Sequence, residues 1–300
     1  MFAQGVISAL VTPFEYGTEK IDEAALERVL NAQCEAGVDA VFVNGTTAEA
    51  YALEFDEKRA LLSKTKSIIG DRCKVIMGGG GSTTAKVLRE VEMAQEENAD
   101  GMSVITPYFV TPDQNELYDY YAAIAQAATI PIIMYNHPLR TSVSIAASTA
   151  AKLHKAYPNI VGLKDSSGNM TSNMDFISAC GDSFGVLSGN DGMIMPMMRM
   201  GGRGVVSATA NFFPKLIVAL YRAIVEQDWE RAKTLQYIAF DTRRIFALGT
   251  YPVSIKEAAC YAGYDMGPCR KPVHPLKEGE RARLKEILDD AITRCKEADV

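Results

Sequence analysis

Apolar residues along this chain fall into two alternating patterns. Short, nearly continuous runs rich in valine and isoleucine recur eight times, at 6–14, 40–45, 74–80, 101–107, 130–136, 160–165, 184–189 and 204–209. Continuous hydrophobicity over so few residues predicts strands buried on both faces of a parallel sheet. Between these runs the apolar positions recur every three to four residues. Segment 22–36 puts Ala25, Leu26, Val29 and Leu30 on one helical face, with Gly37 just past its end as a stop. The same period predicts helices over 56–69, 83–97, 113–128, 145–157, 171–180, 191–200 and 214–227.

Eight strand–helix units in about 225 residues is the arithmetic of an α/β fold closed as a (β/α)8 TIM barrel. An open, doubly wound sheet competes, but it rarely needs eight units, and no GxGxxG follows the first strand. The pattern therefore divides the chain into a barrel over 1–227, carrying the active site, and a C-terminal helical region over 228–300. That region has helical period at 229–247, 253–261 and 279–297, with the Pro/Gly-broken stretch GYDMGPCRKPVHP before the last of these. No Ser/Gly linker separates the parts, so the helical region is expected to pack on the barrel as an appendage.

Composition narrows the function. Of 300 residues, 48% are hydrophobic and 23% charged, which excludes wholesale disorder. The net charge of −6, without a basic stripe, argues against a nucleic-acid partner. No apolar run approaches membrane-spanning length, and the N-terminus lacks the pattern of a signal peptide. Six scattered cysteines without a CxxC pair read as reduced residues of a cytoplasmic protein. The histidines at 137, 154 and 274 lack metal-ligand spacing, so no metal is expected.

In a barrel of this kind the site lies where the strands end. The residues there are Thr12, Thr46, Thr47, Gly78–Gly81, Thr106–Tyr108, Tyr135, Asn136, Lys164, Asp165, Ser188, Gly189 and Ser207. Hydroxyls dominate and carboxylates are few. Lys164 is the sharpest feature, since lysine is seldom fully buried without a partner or a task. Two accounts stay open from the residues alone: an ion pair with a carboxylate such as Asp165, or an amine nucleophile that forms a Schiff base. Burial favours the second chemistry in general, because it disfavours the charged form of an amine. Tyr135 ends the neighbouring strand and is either a proton-relaying phenol or amphipathic packing. Thr46 and Thr47, after Gly45, offer hydroxyls and backbone N–H groups suited to a carboxylate, or form an ordinary turn. Lys74 lies at the opposite strand end. The methionines at 193–200 and the tyrosines at 118, 120 and 121 suit core or subunit packing.

Six motifs occur in order: GTTAE (45–49), VITPYF (104–109), YNHPLRT (135–141), GLKDSSGN (162–169), LSGND (187–191) and GVVSATAN (204–211). Together they resemble the pyruvate-dependent class I aldolases typified by dihydrodipicolinate synthase and N-acetylneuraminate lyase, from Gly5 to about Pro275. The resemblance implies Lys164 as the Schiff-base lysine, Tyr135 as the tyrosine that relays protons, and Thr46 as part of that relay. It implies Thr47 as a ligand of the pyruvate carboxylate, Gly189 and Val206 as pocket positions, and Arg140 as the holder of the second substrate's carboxylate. It further implies a homotetramer, small-molecule substrates (pyruvate and an aldehyde or 2-keto acid) and no cofactor.

The chain departs from the synthases at several positions. Phe109 stands where they carry a tyrosine donated across a dimer, and Ala48 replaces a glycine. Ser82 and Lys86 stand where lysine-inhibited synthases carry Asn and Glu, which predicts no inhibition by lysine. Arg140 favours an acidic aldehyde such as aspartate semialdehyde. Phe109 and GPCRKP (267–272) point instead to N-acetylneuraminate lyase or 2-keto-3-deoxy acid aldolases. The expectation is a dihydrodipicolinate-synthase-like enzyme, with those aldolases as alternatives and a non-catalytic keto-acid-binding paralogue as the alternative of another class.

Overall fold

The computed structural model describes residues 2–300. The chain begins β1 (Gly5–Ala9), α1 (Glu23–Ala36), β2 (Ala40–Val43), α2 (Phe55–Ile69), β3 (Lys74–Gly79), α3 (Thr84–Glu96), β4 (Gly101–Ile105) and α4 (Gln114–Ala127). It continues through β5 (Ile132–Asn136), α5 (Pro138–Thr141), α6 (Ala147–Ala156), β6 (Ile160–Asp165), α7 (Met170–Cys180), β7 (Gly185–Ser188), α8 (Ile194–Arg199), β8 (Gly204–Ser207) and α9 (Pro214–Val225). Then come α10 (Trp229–Thr242), α11 (Val253–Tyr261) and α12 (Glu278–Glu297). The eight strands pair in parallel, each with its sequence neighbours, and β8 closes on β1. This is the (β/α)8 barrel that the hydrophobic runs predict.

Helix ends follow local chemistry. Asp22 caps α1 by accepting from the Ala25 N–H at 2.9 Å. Gly37 ends it in the left-handed conformation at φ 83°, where a side chain would be strained. Asp113 and Glu116 form a reciprocal capping box at the start of α4.

Strand alternation sorts the side chains into two cores. Ile7, Ala9, Phe42, Ile76, Ile133, Leu187 and Val206 fill the barrel interior, whereas the larger cluster lies between the sheet and its helices. Tyr120 and Tyr121 belong to the outer core and donate to the carbonyls of Ile105 and Val104, so they are packing residues within the subunit. Met197 is fully buried, while Met200 is half exposed. All six cysteines are free thiols. Among the described residues, no helix is long and apolar enough to cross a membrane.

Three boundaries differ from the pattern. The apolar run 6–14 leaves the sheet after Ala9. There the Val11 N–H bonds to Asn211 Oδ1 at 2.9 Å and the Phe14 N–H to the Met266 carbonyl at 3.1 Å. Hydrophobicity reports burial, and residues 10–14 are buried under the C-terminal segment rather than in the ladder. The short α5 escapes the periodicity because one turn carries no period. The segment 229–247 is α-helical only to Thr242 and finishes as a 3-10 turn.

Beyond the barrel, α10 packs on α9 and α12, and Arg294 bridges α12 to Asp241 of α10 at 2.8 Å. The C-terminal segment also reaches back to the strand ends. Lys256 of α11 and Glu49, after β2, form a buried ion pair at 3.0 Å. Arg270 pairs with Glu57, and its backbone N–H bonds to Glu49 Oε2 at 2.9 Å. The loop holding Thr46 and Thr47 is therefore clamped by residues more than two hundred positions away.

Candidate active site

A cavity of about 420 Å3 opens at the C-terminal ends of β2–β5. Thr46, Tyr135, Arg140, Ser103, Tyr51, Tyr108 and Tyr251 are among its walls. A larger cavity of about 710 Å3 lies between α11 and α12, but none of the strand-end polar residues lines it.

Lys164 sits near the end of β6, only 5% exposed. Strand alternation turns Leu163 and Asp165 outward and Lys164 into the barrel. Its amine lies 3.9 Å from the centroid of the Tyr135 ring and 4.9 Å from that of Phe42, both cavity walls. The ion-pair account with Asp165 fails on geometry. Asp165 instead accepts from Asn136 Nδ2 at 2.7 Å, Ser167 Oγ at 2.5 Å and Asn173 Nδ2 at 3.0 Å, behind the strand. The amine is thus held by ring faces rather than by a counter-ion.

Tyr135 and Lys164 are register partners across β5 and β6, which puts their side chains on the same face. Thr46 follows β2 and lines the cavity. Thr47 is buried, and its hydroxyl shares a 2.7 Å hydrogen bond with the Tyr251 phenol. Arg140 lies in the one-turn α5 and lays its guanidinium over the Tyr251 ring at 5.3 Å. Like Lys164 and Thr47, Gly189 and Val206 do not themselves line this cavity. Gly189 donates to the Asp165 carbonyl at 2.7 Å, and any Cβ there would meet Ser166; Val206 belongs to the barrel core. Lys74 lies at the far end of β3, over the Phe2 ring. Phe109 is 98% exposed with φ 75°, on the loop after β4.

Three residues at the site were not singled out from the sequence. Ser103 has a buried hydroxyl without a partner among the described residues, and it lines the cavity. The alternation along β4 was the available signal. His137 stacks near Tyr135, with ring centroids 5.7 Å apart. Burial, with the positive charges of Lys164 and Arg140, pushes it down to about 4, so the imidazole is neutral at pH 7. Tyr251 comes from the C-terminal segment, and no local pattern announces it. Burial raises its phenol well above the ordinary value.

A buried amine without a counter-ion, packed against a tyrosine ring that shares a cavity wall with the Thr46 and Ser103 hydroxyls, suits attack on a carbonyl and local proton transfer. The model of the dihydrodipicolinate synthetase family matches residues 2–291. The chain belongs to the dihydrodipicolinate synthetase family. Within this family it is 36% identical, over 95% of its length and 96% of the relative's, to the 4-hydroxy-tetrahydrodipicolinate synthase of Aquifex aeolicus (strain VF5). The structure of the 4-hydroxy-tetrahydrodipicolinate synthase from Methylacidiphilum fumariolicum SolV superposes with a TM-score of 0.95 at 32% identity, covering 99% of this chain and 98% of that one. The crystal structure of the Aquifex aeolicus dihydrodipicolinate synthase gives 0.92 at 35% identity, covering 96% and 97%. Family membership thus rests on nearly the whole chain, barrel and C-terminal helices together.

Proposed function

We propose that this protein is a Schiff-base-forming, pyruvate-dependent synthase that condenses pyruvate with aspartate semialdehyde. The observation that carries the reading is the Lys164 amine, buried near the end of β6 and 3.9 Å from the Tyr135 ring.

In this reading the Lys164 amine adds through its lone pair to the keto carbon of pyruvate, and loss of water with uptake of one proton relayed by Tyr135 leaves a protonated imine. That cation draws electrons from the adjacent methyl group, which loses a proton to give an enamine. Tyr135, with Thr46, relays this proton. The enamine carbon then attacks the aldehyde carbon, and hydrolysis of the new imine restores the amine. The iminium is itself the electron sink, so this route assigns no step to a metal or organic cofactor. Thr47 receives the pyruvate carboxylate, and Gly189, just after β7, and Val206 of β8 support the pocket. Arg140, at the cavity wall, receives the carboxylate of the second substrate.

Phe109 supports a second reading. A phenylalanine cannot transfer a proton, and the same enamine chemistry run backwards cleaves longer 2-keto acids such as N-acetylneuraminate or 2-keto-3-deoxygluconate. Six free thiols support a cytoplasmic setting in either case. Tyr51, Tyr108, Phe109, Val110 and Leu139 leave apolar surface exposed on the segments that follow β2, β4 and β5, which supports assembly into a homotetramer.

Borohydride reduction in the presence of pyruvate tests the mechanism. A stable adduct on Lys164 is expected in the intact mass. An unchanged mass overturns the reading in favour of a keto-acid-binding protein without catalysis. Rates with aspartate semialdehyde, set against pyruvate release from the two longer acids, decide between the two directions.

A further inference from the structure

We propose that Tyr251 is a positioning residue for the keto acid: its phenol donates to Thr47, so that the single Thr47 hydroxyl hydrogen is directed at the substrate carboxylate. The inference rests on the function proposed above and adds to it a residue from outside the barrel strands.

The argument begins with hydrogen counting. Thr47 and Tyr251 each carry one hydroxyl hydrogen, and the oxygens lie 2.7 Å apart. Only one of the two hydrogens can occupy that bond. If Thr47 donates, it has nothing left for a ligand. If Tyr251 donates, the threonine hydrogen is free and the threonine oxygen becomes a polarised donor. A carboxylate arriving beside Thr47 selects the second arrangement, because a charged acceptor makes the stronger hydrogen bond. The result is a chain from phenol to threonine to carboxylate. Burial keeps the phenol protonated across the neutral range, so the outer donor does not titrate away during turnover.

The setting of Tyr251 fits a fixed part rather than a mobile one. Its ring packs edge-on to Phe246 at 6.3 Å. The Arg140 guanidinium lies over the ring at 5.3 Å. Thr47 is itself immobilised, since the Ala48 carbonyl next to it accepts from Thr12 Oγ1 at 2.7 Å and Glu49 is held by Lys256. A hydroxyl with a fixed Cβ and one fixed donor behind it has a single direction in which to point.

Tyr251→Phe isolates the hydroxyl, because it keeps the ring under Arg140. The expected result is a rise of about five- to tenfold in the KM for pyruvate, the size of one lost hydrogen bond. The kcat should stay within about twofold of the parent, and the KM for aspartate semialdehyde should not move. The pyruvate concentration that half-saturates borohydride trapping on Lys164 should rise by the same factor. Thr47→Val should give at least as large a rise, and adding Tyr251→Phe to it should change nothing further. Trapping of Tyr251→Phe at the parent's pyruvate concentrations overturns the inference alone. So does a fall in kcat at unchanged KM, which would make the phenol a proton carrier. Absence of any adduct on the parent protein overturns the proposed function as well.

Discussion

The Lys164 amine and the Tyr135 ring face one another at 3.9 Å because the two residues are paired in register across β5 and β6. Adjacent parallel strands place paired side chains on the same face, and here that face is the barrel interior. The proposed nucleophile and its proton relay are therefore fixed by backbone pairing rather than by loops. Lys164→Ala is expected to abolish turnover while leaving the melting temperature close to the parent's. Tyr135→Phe should lower kcat by about a hundred- to ten-thousandfold, the range for losing a positioned acid–base group. Steady-state kinetics with thermal melts check both, and an active Lys164→Ala variant overturns the mechanism.

Arg140 lies over Tyr251, at the cavity wall, on the one-turn helix α5. Replacement by alanine is expected to raise the KM for an acidic aldehyde far more than that for pyruvate. Equal effects on both would show that Arg140 only shapes the turn.

The ion pair of Lys256 and Glu49 is among the most deeply buried in the molecule, with both side chains at 1% exposure or less. Burial lowers Lys256 from its ordinary value, and Glu49 opposes that shift. Lys256→Met strands the carboxylate in the interior, which costs about 3–5 kcal/mol. The double variant Lys256→Met/Glu49→Gln should recover part of that loss. Denaturant titration measures both, and a single variant as stable as the parent would contradict the clamp.

His137 supplies a pH dependence. Its folded value of about 4 lies below the ordinary 6.5, so the unfolded chain binds the proton more readily between those values. Stability contributed by the neutral ring is complete above about pH 6.5 and is lost as the pH falls toward 4. His137→Asn should flatten the slope of melting temperature against pH in that window. A slope unchanged by the substitution would assign the acid sensitivity to other groups.

Lys86 is exposed on the first turns of α3, beyond Ser82. A cationic side chain at that position repels a free lysine ligand. The enzyme is expected to keep its activity across a lysine titration. Half-loss at millimolar lysine would refute this.

Much of the barrel was legible in the sequence, for a local reason. A strand buried on both faces must be apolar throughout, and a helix packed on it must be apolar at every third or fourth residue. Those demands act within a few residues, so eight runs and their intervening periods spell out the alternation of β1–β8 with the helices. Lys164, Tyr135 and Thr46 were visible for a related reason: polar groups at the ends of such runs stand out against the apolar background.

What escaped were relationships between distant residues. The run 6–14 is buried throughout but only its first half is strand, because hydrophobicity cannot tell a ladder from a covered loop. Gly189 follows β7 and Val206 lies in β8, and the strand pattern alone does not say how near either comes to the cavity. Tyr251, Lys256 and Arg270 meet the loop after β2 only because α10–α12 fold back over the barrel. Their contacts span about two hundred residues, and no period or motif records a pairing at that distance. Sequence thus determined the elements and the chemistry at their ends, since both depend on near neighbours. Tertiary structure alone decided which of those groups share a cavity and which residues hold them there, since that depends on how the closed barrel and its C-terminal helices pack.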